Sequence, residues 1–388
     1  MPRILISSVE PSADLHASNL LTALRALHPG LEADAAGGPL LAKAGARLLV
    51  DMSGRAAMGI GDAVASLRFF RRAGKTLARA ARHAAYDAVV VVDGPSFHLP
   101  LARLVRRDDP GLPLIYYIAP KLWVWKEWRA KCLRRDFAKT LCIFPFEERY
   151  FRGRGVDAVY VGNPTREQMA AADGSAIAAR YGVSWDGRHS RPEKGILAVF
   201  PGSRKGELRR LWPDIAKTLA AARERFPALK PVVSLADNLT KEDLAAIHPI
   251  PDGVGFSVGE SHSLLDASSV VLAKSGTTTL EAALLGKPML VCYRVESPGF
   301  LLAMFVVRIP RVALPNILAG REVVREFLQD AATAGNFLNE LERLLADRRY
   351  YRTMRNRLLS LADGLGEGNS ALRAAREISA FLPRPAST

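Results

Sequence analysis

The stretch "VLAKSGTTTLEAALLGKPMLV", residues 271–291, holds a strand, a turn, a helix and a second strand in one short span. An apolar run ends at Ala273. Ser275, Gly276, Thr277 and Thr278 then open a helix running through Leu285, and a new strand starts near Pro288. The same alternation recurs on both sides. Upstream lie "GILAVFPGSR", the helical "LWPDIAKTLAAARERF" and "KPVVSLA". Nearer the start lie "RILIS" (3–7), the helical "SNLLTALRAL", the unbroken valine run "AVVVVD" (88–93), "LPLIYYIA" and "TLCIFPF". A continuous apolar run such as 88–92 suits a parallel strand buried on both faces. Strand–helix alternation in two series predicts two doubly wound α/β halves. The polar, turn-rich 171–195 reads as the connection. The expected divisions are 1–168, a connection over 169–194, 195–360 and a C-terminal helix over 361–388, with the chain after 320 helical.

The 388 residues carry 54 Lys+Arg against 39 Asp+Glu, a net charge of +15. Such a chain seeks anionic partners: nucleic acid, nucleotide, phosphorylated substrate or acidic lipid. Cys132, Cys142 and Cys292 show neither a pairing pattern nor metal-ligand spacing, which fits a reduced compartment. No stretch approaches the ~20 apolar residues of a spanning helix.

In doubly wound sheets ligands bind beyond the carboxyl ends of the strands, so chemistry is sought just after each one. At Ser275–Thr278, free N–H groups and the helix dipole form an anion site. Glu281, about one turn further on, could accept from ribose hydroxyls. The plainer alternative there is a capping box. Neither a Walker A motif nor G-x-G-x-x-G occurs, which disfavours an NTPase and a dinucleotide oxidoreductase. In "AVFPGSRKGEL" (198–208), Gly202 admits a ligand to the backbone. Ser203 can cap or donate, and Arg204 offers a fork suited to phosphate. Asp93 ends the valine strand, as a general base or as the anchor of an Asx turn; His98 reads as structural. "VEPSADLH" (9–16) supplies Glu10 and His16 after the first strand. "YYIAPKLWVWKEWRAK" (116–131) interleaves tryptophan and basic residues, suited to stacking or to a membrane interface. "LRFFRRAGKTLARAARH" (67–83) and "SPGFLLAMFVVRIPRV" (297–312) could each rest on acidic lipid or pack as ordinary helices.

Taken in order, "DGPSFHLPLA", "YYIAPKLWVWKEWR", "FPFEERYF", "VGNP", "FPGSRKGEL", "KSGTTTLEAALLGKPMLVCYRV" and "LPNILAGREVVREFLQD" resemble the lipid-A-disaccharide synthase family, with "GGPLLAKAG" and "AAMGIGDAV" in support. The resemblance runs from about residue 3 to 375. It implies a GT-B fold, two Rossmann-like domains facing across a cleft, the first on the acceptor side and the second binding UDP-sugar. It also implies inverting, metal-independent transfer of diacylated glucosamine from UDP to the 6-hydroxyl of diacylglucosamine 1-phosphate, with no cofactor. On the family's pattern Asp93 is the base. Glu10 and His16 join it, and Asn316, Glu326 and Gln329 fall on the nucleotide side with Arg204 and Ser275–Thr278. The implied setting is cytoplasmic, peripheral on the inner face of the membrane and drawn to anionic lipid. The chain would be a monomer or a homodimer, the latter with the C-terminal segment exchanged, and would bind no nucleic acid.

The chain departs from the pattern at definite places. Val9, Pro11 and Ala13 stand where the family has Gly, Ala and Gly. Asp93-Gly94-Pro95-Ser96-Phe97-His98 stands where it has Asp-Ala-Pro-Asp-Phe-Asn, and Asn163 replaces a His. These changes fall on the acceptor half and keep open a related GT-B transferase with another acceptor. A UDP-sugar epimerase and a non-enzymatic anion binder are the other readings.

Overall fold

The computed structural model describes residues 1–53, 63–124, 126–184, 191–295, 311–366 and 368–383, with 63–66 as backbone only. "AAMGIGDAV", Trp125 and most of 297–312 therefore lie outside the described residues. The chain forms two compact units, one of Met1–Pro164 with Glu367–Thr388, the other of Thr165–Gly366. The first boundary falls at 164/165 rather than 168/169. What reads as a plain connection contains a helix, Ser175–Arg180, whose Ile177 and Ala178 are buried in the core of the second unit.

The first unit is built on seven parallel strands: β1 (Arg3–Ser8), β2 (Glu32–Gly37), β3 (Arg47–Asp51), β4 (Ala88–Val92), β5 (Leu114–Tyr117), β6 (Lys139–Cys142) and β7 (Ala158–Tyr160). Their order is β3-β2-β1-β4-β5-β6-β7. The helices are α1 (Pro11–Leu27), α2 (Pro39–Lys43), α3 (Ala63–His83), α4 (Pro95–Asp108), α5 (Ala130–Asp136) and α6 (Pro145–Arg152). Side chains alternate across a strand, and β4 shows it. Val89 and Val91 enter one apolar layer with Leu77 and Val105, while Val90 and Val92 enter the other with Leu20, Leu21 and Leu24. Every residue of β4 is buried on both faces, at roughly 1.5–3 kcal/mol for each valine. The second layer is completed by the last helix, Ser370–Ser379, through Ala374, Ala375 and Ile378. His28 Nε2 meets Ser379 Oγ at 2.9 Å on that contact.

The second unit carries α7 (Pro164–Ala170), α8 (Ser175–Arg180), β8 (Ile196–Phe200), α9 (Lys205–Arg225), β9 (Lys230–Leu235), α10 (Lys241–Ala245), β10 (Gly255–Val258), α11 (Ser261–Ala267), β11 (Ser268–Lys274), α12 (Thr277–Leu284), β12 (Met289–Tyr293) and β13 (Arg325–Leu328). Its six strands are parallel in the order β10-β9-β8-β11-β12-β13. The expectation of pure helix after 320 is corrected: Arg325–Leu328 adds to β12, with Val291 opposite Glu326. In both sheets the order reverses once, between β1 and β4 and between β8 and β11. Such reversals open a crevice at the carboxyl ends of the strands.

Candidate active site

At the β8/β11 reversal the second unit has a cavity of about 480 Å³. Gly202 and Ser203 follow β8, and Ser275–Thr278 lead from β11 into α12; all six line it. Gly202 has φ +117°, and a Cβ there would stand 2.6 Å from Glu207 Oε2, so glycine is required. The capping box is not formed. Gly276 is the N-cap, Ser275 Oγ donates to the Val312 carbonyl, and Thr279 Oγ1 donates to that of Gly276. The start of α12, whose first amides a helix leaves without intrahelical acceptors, lines the cavity.

Three charged wall residues, Lys274, Glu207 and Asp237, escaped the sequence reading. Lys274, the last residue of β11, holds its ammonium 2.9 Å from Glu207 Oε1 and lies 5.6 Å from the centre of the Tyr293 ring. It is the one cation in the wall among the described residues, against the carboxylates of Glu207 and Asp237. The pair joins residues 67 apart in sequence, 274 minus 207, and no local pattern marks it. Arg204, expected at the diphosphate, is instead the exposed N-cap of α9 and does not line the cavity. Burial raises the pKa of the Tyr293 phenol, and Arg204 stands near enough for its charge to oppose that rise. Glu281 is half-buried one turn along α12, also off the wall, and burial pushes its carboxyl up to about 7.

The segment holding Asn316, Glu326 and Gln329 is turned to internal work. Asn316 Nδ2 donates to Val324 O and Glu326 Oε1, and its Oδ1 accepts from the Val323 and Val324 amides. The amide is saturated, so Asn316 as a ligand contact gives way to Asn316 as a brace. Glu326 accepts from the amides of Val312 and Ala313, and Gln329 clasps the backbone of Val295 through both amide atoms.

At the β1/β4 reversal the first unit presents Asp93 in a cavity of about 250 Å³. Asp93 has φ +52° and Gly94 φ +55°; for a non-glycine this costs on the order of 1–3 kcal/mol and is tolerated where the surroundings enforce it. Here the Asp93 carbonyl accepts from the Tyr116 hydroxyl and from His98 Nδ1, both at 2.6 Å. A carbonyl can only accept, so Nδ1 carries the proton and Nε2 accepts from Ser7 Oγ at 2.9 Å. His98 is fully buried, and burial pushes it down to about 4, keeping it neutral. Burial raises the Asp93 carboxyl, opposed by the Gly94 amide and the charge of Lys121. Lys121, Lys126 and Arg129 share this cavity, as does Glu147. Glu147 is fully buried, pushed up to about 7 by burial, and accepts from Trp123 Nε1 and two backbone amides.

Glu10 is the exposed N-cap of α1 and makes no side-chain cap. His16 is half-buried on the same helix. Neither lines the Asp93 cavity. Asp14 accepts from the amides of Gly38 at 2.7 Å and Leu40 at 2.9 Å, so it caps α2 rather than its own helix.

The two loops that depart from the family's pattern touch. A Cβ on Gly94 would lie 2.3 Å from Val9 Cγ2. Val9 therefore fills the space that an alanine at 94 needs, which couples the two changes. Gly94→Ala should cost about 2–4 kcal/mol from overpacking and the left-handed φ. Adding Val9→Gly should recover part of this, a coupling of about 1–2 kcal/mol in a double-mutant cycle followed by thermal unfolding. Strictly additive losses would show that the residues do not share that space.

The model of the family described as lipid-A-disaccharide synthetase matches residues 4–378. The lipid-A-disaccharide synthase of Anaeromyxobacter dehalogenans is 36% identical over 379 residues, covering 97% of this chain and 96% of the relative. Among solved structures, an S. aureus MnaA–UDP co-structure superposes with a TM-score of 0.67 at 14% identity, covering 98% of this chain and 97% of that one. CalG4, the calicheamicin glycosyltransferase, does so at 0.58 and 17% identity, covering 98% of each. These likenesses show the GT-B fold. With a family match over nearly its whole length, the chain belongs to the lipid-A-disaccharide synthetase family, enzymes that make the lipid A disaccharide by glycosyl transfer.

Proposed function

We propose that the chain transfers 2,3-diacylglucosamine from its UDP conjugate to the 6-hydroxyl of 2,3-diacylglucosamine 1-phosphate (lipid X), forming a β-1,6 link and releasing UDP. Asp93 takes the proton of the 6-hydroxyl as its oxygen bonds to the sugar's C1. The C1–O bond to UDP breaks on the opposite face, so the anomeric centre inverts. The observation that carries this reading is the Asp93 carboxylate, held at the strand-order reversal in an enforced left-handed turn beside Lys121, Lys126 and Arg129. Those cations suit the acceptor's phosphate. In the other unit, the α12 start and Lys274 suit the diphosphate, with Arg204 near the rim. This is the preorganised charge that a departing UDP needs without a metal or other cofactor. Glu326 and Gln329 hold the loops beside the α12 start through their backbone bonds, while Glu10 and His16 on the acceptor side and Glu281 on the nucleotide side stay candidates from the family's pattern.

The lipid substrates place the work at a membrane surface. Among the described residues no helix is long and apolar enough to cross one. The basic face of α3, with Leu67 exposed, suits peripheral contact with anionic lipid on the cytoplasmic side. The test is UDP release from UDP-diacylglucosamine with and without lipid X. Acceptor-dependent release and a disaccharide product of the expected mass are the expected results. Sugar conversion without acceptor would indicate epimerisation and overturn the assignment.

A further inference from the structure

A second hollow, of about 950 Å³, runs along the first unit between α4 and the segment Trp128–Arg135. Its floor is apolar: Leu99, Pro100 and Leu104 from α4, with Trp128, 63% exposed, as the opposite wall. Its rim is basic. Arg107 and Arg135 are paired with Asp108 and Asp136, but Arg103 and Arg129 have no carboxylate partner among the described residues. Pro95 and Arg129 line both this groove and the Asp93 cavity, so the two hollows are neighbours that share a wall. A large apolar trough in an arginine rim, beside a sugar-sized cavity, is complementary to an anionic glycolipid. Trp128 adds its indole to this apolar trough, with the Arg129 guanidinium carbon 5.5 Å from the ring centre.

We propose that this groove holds an acyl chain of the acceptor lipid while its phosphorylated sugar occupies the Asp93 cavity, with Arg103 and Arg129 facing the anionic headgroup. The assignment rests on the acceptor chemistry proposed above and adds to it a defined subsite. Chain-length preference for the acceptor is then set by α4 and Trp128.

Cys132 lines the groove and is partly exposed, whereas Cys142 and Cys292 are fully buried. Alkylation of the full-length protein with a maleimide therefore reports on the groove alone. Short-chain diacylglucosamine 1-phosphate below its micellar concentration should slow Cys132 labelling at least tenfold, while glucosamine 1-phosphate and phosphatidylglycerol vesicles leave it unchanged. Lengthening the acyl chains should lower the acceptor KM about fourfold per methylene. Trp128→Ala and Leu104→Gln should flatten that dependence and raise KM, with UDP affinity intact. Trp128 is exposed, so its removal does not threaten folding.

Turnover of the acceptor with unprotected Cys132 would overturn the groove while leaving the transferase reading standing. Absence of both turnover and acceptor binding would sink the two together. Equal protection by phosphatidylglycerol vesicles would make the groove a general lipid-docking surface and overturn its assignment to substrate.

Discussion

Asp93→Asn should lower turnover by about 10²–10⁴-fold, the usual contribution of a general base, while UDP binding stays unchanged. Asparagine tolerates the left-handed backbone of this position, and the carbonyl clamp of His98 and Tyr116 does not involve the side chain. The variant therefore keeps the loop and loses only the ability to take a proton. The pH profile gives a second readout. Only ionised Asp93 can act, and burial raises its pKa, so kcat/KM should fall on acidification at a pH above that of an unperturbed aspartate. Lys121 lowers that pKa; removing its charge in Lys121→Met should move the acid limb to higher pH. Unaltered turnover in Asp93→Asn, or an unmoved limb in Lys121→Met, would remove Asp93 as the base.

Lys274→Ala should weaken UDP binding about 10- to 100-fold, the worth of a charge-assisted hydrogen bond, and leave uridine binding unchanged. Without the ammonium, Glu207 and Asp237 face the cavity with no cation in its wall among the described residues, and an anionic ligand meets net repulsion. Titration calorimetry with the two ligands separates the causes. A loss for UDP alone identifies phosphate recognition. An equal loss for uridine would identify collapse of the wall and reject the role assigned to Lys274.

The strands that read clearly in the sequence are those buried on both faces by branched or aromatic residues, such as "AVVVV" at β4 and "SVVLAK" within β11. β2 does not read as a strand because it is "EADAAG". Its Asp34 is buried only because Arg3, Arg47 and Tyr86 all bond to its carboxylate, and partners 13 to 52 residues away leave no local pattern. The turns carrying Asp93, Gly202 and Ser275–Thr278 were legible, since each follows an apolar run directly. Their partners were not. The Glu207–Lys274 pair, the buried Ser7–His98–Asp93 chain and the saturation of Asn316 arise from tertiary approach. Arg204 shows the converse, a residue type suited to phosphate that the N-terminus of α9 turns outward.

The last helix also bears on how the polypeptide matures at the ribosome. Leu20, Leu21 and Leu24 of α1 are covered in part by Ala374, Ala375 and Ile378, so the first unit joins two segments far apart in the order of synthesis. At about 5–20 residues per second, the roughly 340 residues between Leu27 and Ser370 take on the order of 20–70 s to emerge. Through that interval α1 waits with its apolar flank bare. The second unit, contiguous from Thr165 to Gly366, is fully translated first. A stalled or prematurely terminated chain should accordingly be a strong client for chaperones that recognise exposed leucine-rich helices, even though most of its residues have already been made.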